Sequence, residues 1–157
     1  MKNILLKGIF YQIIRTSRPR QWVKNFSLFA AVIFSGRLFV EGVFLDAVNA
    51  FIAFSMLASG VYFLNDIVDV EKDKLHPIKS NRPIASGKLP IKTAKLIFIL
   101  LILSSLTFSY YIVGSYFFYI LIFYLLIQFS YSYYFRNIII LDSLVVASGF
   151  IIRVFAG

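Results

Sequence analysis

The sequence predicts an all-α protein, a polytopic membrane helix bundle. Of its 157 residues, 60% are hydrophobic and 18% are aromatic, and the mean hydropathy is +0.83. A soluble domain of this size carries more polar surface, and the long apolar blocks argue against disorder because they can bury enough surface to offset ordering entropy. The composition therefore argues against a water-soluble enzyme. It also argues against nucleic acid as a partner, because no soluble domain presents the net charge of +9.

Five windows come close to the roughly 20 apolar residues that a spanning helix needs. They cover residues 19–36, 47–64, 96–113, 115–135 and 138–157, after an amphipathic segment that we interpret as an interfacial helix. The first window is the weakest, because Arg20 and Lys24 interrupt it and must snorkel or face a polar cavity. We therefore expect residues 1–157 to form a single membrane domain of about five transmembrane helices. The apolar end of the fifth window indicates the N-terminal part of a longer domain.

The distribution of cations predicts the topology. Basic residues are concentrated before the first window and after the second, and two crossings place both groups on one side of the membrane. Arg136, two crossings later, falls on that side too. Lysine and arginine are enriched in cytoplasmic loops, so we expect an inner (plasma) membrane protein whose N terminus is cytoplasmic. The cations concerned are Lys2, Lys7, Arg15, Arg18, Arg20 and Lys24, followed by Lys72, Lys74, Lys79, Arg82, Lys88, Lys92 and Lys95.

An acidic cluster ends the second window. The chain has no cysteine and one histidine, so any metal would need oxygen ligands. Asp66, Asp69 and Asp73 have the i, i+3, i+7 spacing that puts carboxylates on one helix face, whereas Glu71 points away. Three like charges on one face favour a cation there, and carboxylates next to substrate phosphates suit Mg²⁺. The pattern predicts a magnesium site at the cytoplasmic mouth of the bundle.

Two other interpretations of this cluster remain open. The acids could form a solvated helix end paired with Lys72 and Lys74, or they could belong to a proton or cation pathway. Their one-sided arrangement and their position beside the membrane favour a functional site. The cationic loop at residues 79–88 could neutralise a metal-bound diphosphate, although taken alone it would only mark topology.

Four sequence segments carry a resemblance to a known family. The motif N-D-x-x-D-x-x-x-D at residues 65–73, followed by N-R-P-I-A-S-G at 81–87, resembles the UbiA family of intramembrane prenyltransferases. The opening S-R-P-R-Q-W-V-K-N at 17–25 and the closing L-D-S-L-V-V-A-S-G-F-I-I-R-V-F-A-G at 141–157 resemble the branch that transfers phosphoribose to a lipid phosphate. The resemblance covers essentially the whole chain, but only about the first half of a family member.

The resemblance implies a partial UbiA-type bundle around a central cavity and a Mg²⁺-dependent transferase. In the suggested branch, phosphoribosyl diphosphate is the donor and a polyprenyl phosphate lipid is the acceptor. The first alternative is a UbiA-type prenyltransferase that moves a polyprenyl chain from its diphosphate to an aromatic acceptor. The second is an inactive, truncated membrane scaffold. In the two enzymes, Mg²⁺ and cations would stabilise the departing diphosphate.

The same resemblance suggests roles for individual residues. Asp66, Asp69 and Asp73 are expected to be the catalytic metal ligands. Binding of the substrate is assigned to Asn65, which supports the aspartates, and to Lys24, Lys79 and Arg82, which would contact phosphate groups. The second acidic motif common in the family has no counterpart here, so we expect the active site to be incomplete.

Three further polar residues have no part in this assignment of roles. Asp142, the last acid in the chain, lies eleven residues before Arg153, so on a helix the two would share a face about 16 Å apart. Each would then need another partner within the protein. His76, beside a proline in the polar loop, is assigned no role.

Overall fold

The described part of the chain is mostly helical. A computed structural model describes the backbone of residues 2–135 and 139–157 and the side chains of residues 8–133 and 144–157. It confirms the predicted all-α class. The elements are α1 (Lys2–Ser17), a 3₁₀ segment (Pro19–Ser27), α2 (Leu28–Phe34), α3 (Val43–Val68), α4 (Val70–Leu75), a 3₁₀ turn (Lys79–Asn81), α5 (Ile91–Phe108), α6 (Ser115–Ser130) and α7 (Ile139–Ala156). Short π-helical turns, Ser109–Val113 and Tyr131–Phe135, extend α5 and α6.

Within the described residues, three helices are long and apolar enough to cross a membrane. They are Val43–Val68, Ile91–Val113 and Ser115–Tyr133, and they match the second, third and fourth windows. The fifth window contains a shorter apolar helix, Leu144–Ala156. The chain is thus an integral membrane protein built around these helices.

The first window differs from a regular spanning helix. It forms the 3₁₀ segment followed by the seven-residue α2, because its polar side chains bond to α3 instead of facing lipid. Nine 3₁₀ residues and seven α-helical residues rise about 28 Å together, close to the roughly 30 Å of a hydrocarbon core. The window therefore runs antiparallel to α3 along most of its length. The contacts that show this are Trp22 Nε1 to Ser59 Oγ (3.0 Å), Asn25 Nδ2 to Ser55 Oγ (2.9 Å) and the ring centroids of Phe29 and Phe44 (6.4 Å).

Helix α3 is the centre of the bundle. Small residues along it allow neighbouring helices to approach closely, and Ser105 Oγ of α5 donates a hydrogen bond of 2.7 Å to the Ala53 carbonyl oxygen. The main core thus joins α3 to α2, α5 and α6. It contains Leu28, Ala50, Ala53, Phe54, Leu57, Ala58, Val61, Ile102, Phe117, Leu121 and Tyr124.

A second core lies at the other end of α3. Phe63 of α3 packs there with Ile84 and Leu89 of the loop before α5, and Ile9 and Ile13 of α1 cover them. The N-terminal helix and the cationic loop therefore lie at the same end of the bundle, as the charge pattern predicts. That this end faces the cytoplasm remains a prediction.

Gly60 is the closest approach of α3 to α5. A Cβ built on Gly60 would lie 2.7 Å from Ile102 Cδ1 and 3.2 Å from Ile102 Cγ1. We expect Gly60→Val to lower the free energy of unfolding by about 1–3 kcal/mol, because overpacking forces side chains from their rotamers. Thermal unfolding of the detergent-solubilised protein measures the effect.

The control is Gly8→Val on α1, where an added Cβ meets nothing within 4 Å. Gly60→Val combined with Ile102→Ala should recover much of the lost stability, since the truncation makes room for the new methyl groups. Equal destabilisation by Gly8→Val, or no recovery in the double variant, would contradict the packing explanation.

Candidate functional site

The three aspartates share one buried face at the end of α3. Asp66, Asp69 and Asp73 are each 2% exposed, whereas the Glu71 side chain is 79% exposed. α3 and α4 meet at Asp69, yet helical hydrogen bonds run across the junction, from Asp69 N–H to Asn65 O (3.0 Å) and from Asp73 N–H to Asp69 O (2.8 Å). The helical spacing therefore persists, and it has the one-sided arrangement that the sequence predicts.

Arg82 joins two of these carboxylates. Its Nη1 atom donates to Asp66 Oδ1 at 3.2 Å and to Asp73 Oδ2 at 2.7 Å. The loop that carries Arg82 is held against the bundle by Ile84 and Leu89, which are buried in the second core. Asp66 and Asp73 thus converge on a single guanidinium nitrogen, at the point where the sequence predicts a cation.

Arg18 supplies a second cation to Asp66. Arg18 Nη2 donates to Asp66 Oδ1 at 2.6 Å, and the guanidinium carbon lies 4.9 Å from the ring centroid of Tyr62. Arg18 has a left-handed backbone, with φ of 51° and ψ of 59°, which costs a non-glycine residue about 1–2 kcal/mol. The ion pair and the ring contact offset that cost. The strained turn between α1 and the 3₁₀ segment thereby aims Arg18 at the aspartates.

The donor chemistry of this cluster fits a hard divalent cation. Carboxylate oxygens are the ligands that Mg²⁺ prefers, with water and phosphate completing its shell. Among the described residues, however, no three His, Cys, Asp or Glu side chains are arranged to hold a metal ion, and the Arg82 guanidinium lies where Asp66 and Asp73 converge. A bound ion would therefore require Arg82 to move. The assignment of Asp66, Asp69 and Asp73 to Mg²⁺ stays a prediction.

A cavity of about 150 Å³ adjoins the cluster, between the 3₁₀ segment and helices α3, α6 and α7. Asn65, the neighbour of Asp66, lies in its wall and accepts a 2.5 Å hydrogen bond from Ser132 Oγ. Lys24 of the 3₁₀ segment also lines the cavity and is half-buried. The cavity is lined by Lys24, Ala58, Val61, Tyr62, Asn65, Tyr124, Gln128, Tyr131, Val145, Val146, Gly149, Phe150 and Arg153.

The other residues predicted to bind substrate lie at three different places in the structure. Arg82 binds the aspartates, whereas Lys24 and Asn65 line the adjoining cavity. Lys79 is half-buried on the 3₁₀ turn of the loop, and the ion pairs among the described side chains do not include it. His76 accepts backbone hydrogen bonds from Ile78 and Lys79 at 3.1 and 3.2 Å. The side chain of Asp142 lies outside the described residues.

Sequence reasoning missed two arginines of the site. Arg18 served only as a topology marker, and Arg153 was given no defined partner. Arg153 is 6% exposed, and its guanidinium binds Asn25 Oδ1 at 2.8 Å and the Gly149 carbonyl oxygen at 2.6 Å. Both arginines lie within segments that carry the family resemblance, and this position could have identified them as candidate site residues.

The sequence is similar to proteins of one known family. The sequence matches the UbiA prenyltransferase family over residues 22–157. It is 34% identical to decaprenyl-phosphate phosphoribosyltransferase of Mycolicibacterium smegmatis, over 96% of the chain and 48% of that protein. The proteins of that name from Corynebacterium glutamicum and Mycobacterium tuberculosis are 35% and 33% identical, over 96% and 92% of the chain and 46% and 49% of their own lengths.

The chain spans about half the length of these curated relatives. The family match, in contrast, covers most of the chain and includes both the aspartates and Arg82. The resemblance seen in the sequence motifs is thus confirmed. The chain belongs to the UbiA prenyltransferase family.

Proposed function

We propose that the protein transfers phosphoribose from phosphoribosyl diphosphate to a polyprenyl phosphate lipid, with Mg²⁺ as cofactor. The names of its relatives support the substrates, since three proteins at 33–35% identity are decaprenyl-phosphate phosphoribosyltransferases. The observation that carries the proposal is the convergence of Asp66 and Asp73 on Arg82 beside a cavity lined by Lys24. It supplies charges of both signs at the end of the bundle.

The arginines and the aspartates have different electrostatic roles in the proposed reaction. In the proposed reaction, an oxygen of the lipid phosphate bonds to the ribose C1 while the bond from C1 to the diphosphate oxygen breaks. Negative charge builds on the departing diphosphate, and Arg82 and Arg18 can bind it by forked hydrogen bonds. Bound Mg²⁺ would neutralise part of that charge. The aspartates hold both guanidinium groups in position before the donor binds.

The buried setting strengthens these interactions. Asp66 and Asp73 are almost fully buried, and the Arg18 and Arg82 side chains are only 31% and 26% exposed. Charges act more strongly on one another where water is excluded. The site therefore holds two guanidinium groups in position for a diphosphate and carboxylates in position for a cation. We propose that it faces the cytoplasm, where cationic loops are enriched.

Labelled donors test the proposal in membranes that contain the protein. We expect ribose label from phosphoribosyl diphosphate to enter the lipid fraction, with one diphosphate released per transfer, and expect chelation of divalent ions to stop it. A parallel reaction contains labelled polyprenyl diphosphate and an aromatic acceptor such as 4-hydroxybenzoate. Label in the aromatic product alone, or in neither product, would contradict the proposal.

A further inference from the structure

Arg153 is a buried cation whose described partners are all neutral. Besides Asn25 and the Gly149 carbonyl, its Nη2 atom lies 3.3 Å from the Tyr124 hydroxyl. Its guanidinium carbon also lies 4.7 Å from the ring centroid of Phe54 and 5.8 Å from that of Phe150. These contacts use three of the five N–H groups of an arginine. They solvate the charge without cancelling it.

An uncompensated charge at this depth is costly. Ionisable side chains within a membrane protein face an interior or a cavity and mark ligand or ion pathways. Arg153 lines the 150 Å³ cavity together with Lys24, and no Asp or Glu belongs to the described lining. Two cations in a cavity whose described lining contains no carboxylate repel each other until an anion joins them. The arrangement therefore calls for an anionic ligand.

The lining of the cavity restricts that ligand. The cavity has a volume of about 150 Å³, which leaves room for a phosphate group. The amides of Asn65 and Gln128 and the hydroxyl of Tyr124 offer hydrogen bonds, while Val145 and Val146 supply an apolar side. A phosphate monoester on a hydrocarbon chain fits this lining, because its phosphate can bind the polar groups and its chain can contact the apolar side chains.

The cavity also shares a wall with the aspartate cluster. Asn65 lines the cavity and directly precedes Asp66. Tyr62 lines it as well, and its ring lies beneath the Arg18 guanidinium that binds Asp66. Two regions with exposed or buried cations therefore lie side by side, and among the described residues only the first contains carboxylates. The first suits a cation-bound diphosphate and the second a bare phosphate.

We infer that the cavity between Arg153 and Lys24 binds the phosphate headgroup of the polyprenyl phosphate acceptor. This inference rests on the proposed function and adds the location of the acceptor. Arg153, fixed by Asn25 and Gly149, provides the deep end of the subsite, and half-buried Lys24 provides the outer end. The lipid phosphate is thereby held next to the donor diphosphate region, and the aspartates, which would repel it, do not belong to the described lining of the cavity.

Equilibrium binding of labelled farnesyl phosphate to the protein in nanodiscs tests the inference. We expect Lys24→Gln and Arg153→Gln each to weaken binding at least 10-fold, because each removes a charge that contacts the phosphate. Arg20→Gln is the matched control: it removes an exposed cation from the same 3₁₀ segment, outside the cavity lining, and should change binding less than twofold. Lys24→Gln keeps the test valid if Arg153→Gln fails to fold.

Competitors and a second ligand separate the possible outcomes. Farnesol and inorganic phosphate should compete poorly, since the first lacks the anion and the second lacks the chain. Competition by inorganic phosphate as strong as that of farnesyl phosphate would overturn the lipid assignment, and wild-type affinity in both cavity variants would overturn the subsite. Phosphoribosyl diphosphate should bind Lys24→Gln as it binds the wild type, and an equal loss for both ligands would overturn the separation of donor and acceptor. If wild-type protein binds farnesyl phosphate in a charge-dependent way but transfers no ribose, the proposed function fails while the subsite stands.

Discussion

Asp66→Asn is expected to lower the rate of ribose transfer to lipid by at least about 100-fold, a loss typical when a group that stabilises developing charge is removed. Asp66 is the carboxylate that both arginines share, through Arg18 Nη2 at 2.6 Å and Arg82 Nη1 at 3.2 Å. Asparagine retains the shape but not the charge, so it neither fixes the two guanidinium groups nor offers a carboxylate to a metal. Initial rates at saturating concentrations of both substrates measure the effect.

The same substitution should also destabilise the protein. Removing one partner of a buried ion pair costs about 3–5 kcal/mol, and we expect about 1–3 kcal/mol here because solvent screens the partly exposed arginines. Asp66→Asn combined with Arg18→Gln should regain part of that loss, since one unpaired cation is removed with its partner. Transfer should stay lost in the double variant, because Asp66 is still absent.

Glu71→Gln provides the control for charge. Glu71 belongs to the same acidic run, but its side chain is largely exposed and pairs with Lys74 at 2.8 Å. We expect its rate and stability to stay near those of the wild type, as surface pairs contribute about 0–1 kcal/mol. A similar loss in Glu71→Gln, or a normal rate in Asp66→Asn, would contradict the assignment of the site.

Helical periodicity carried enough information to predict the acidic face. The spacing of Asp66, Asp69 and Asp73 depends only on 3.6 residues per turn, and the hydrogen bonds across the α3–α4 junction preserve that geometry. The distribution of cations likewise predicted that the N-terminal segment and the cationic loop lie at the same end. Two predicted crossings separate these segments, and an even number of crossings returns the chain to the same side. These features are local in sequence or depend on composition alone.

The arginine partners could not be predicted in this way. Arg18 and Asp66 are 48 positions apart, and Arg153 and Asn25 are 128 positions apart. Each pair depends on the path of the first window, which follows α3 as a 3₁₀ segment through side-chain bonds to Ser55 and Ser59. An average of hydropathy makes such a segment look like a weak spanning helix, because it does not show which polar side chains form hydrogen bonds with each other. The partner of Arg153, Asn25, can be identified only when the path of this segment is known.

Arg82→Met is expected to make the stability of the protein depend on divalent cations. In the described structure, one Arg82 nitrogen joins Asp66 to Asp73, and methionine would leave two buried carboxylates facing each other without that cation. In metal-free buffer, the variant should therefore unfold several degrees below the wild type. Millimolar Mg²⁺ should raise its melting temperature more than that of the wild type, because the point of convergence is then open to an ion. Thermal unfolding in nanodiscs, with and without Mg²⁺, measures both shifts.

The size of the Mg²⁺ response follows from linkage. A ligand at 100 times its dissociation constant stabilises the folded state by about 2.7 kcal/mol, which corresponds to roughly 5–10 °C for a domain of this size. Sodium at equal ionic strength should give a smaller shift, because screening alone does not bridge two carboxylates. Arg82→Met combined with Asp73→Asn removes one carboxylate of the pair and should lose the specific response. If Mg²⁺ shifts the wild type, Arg82→Met and this double variant equally, the aspartates do not hold the ion, and the cation that Asp66 and Asp73 require is the arginine itself.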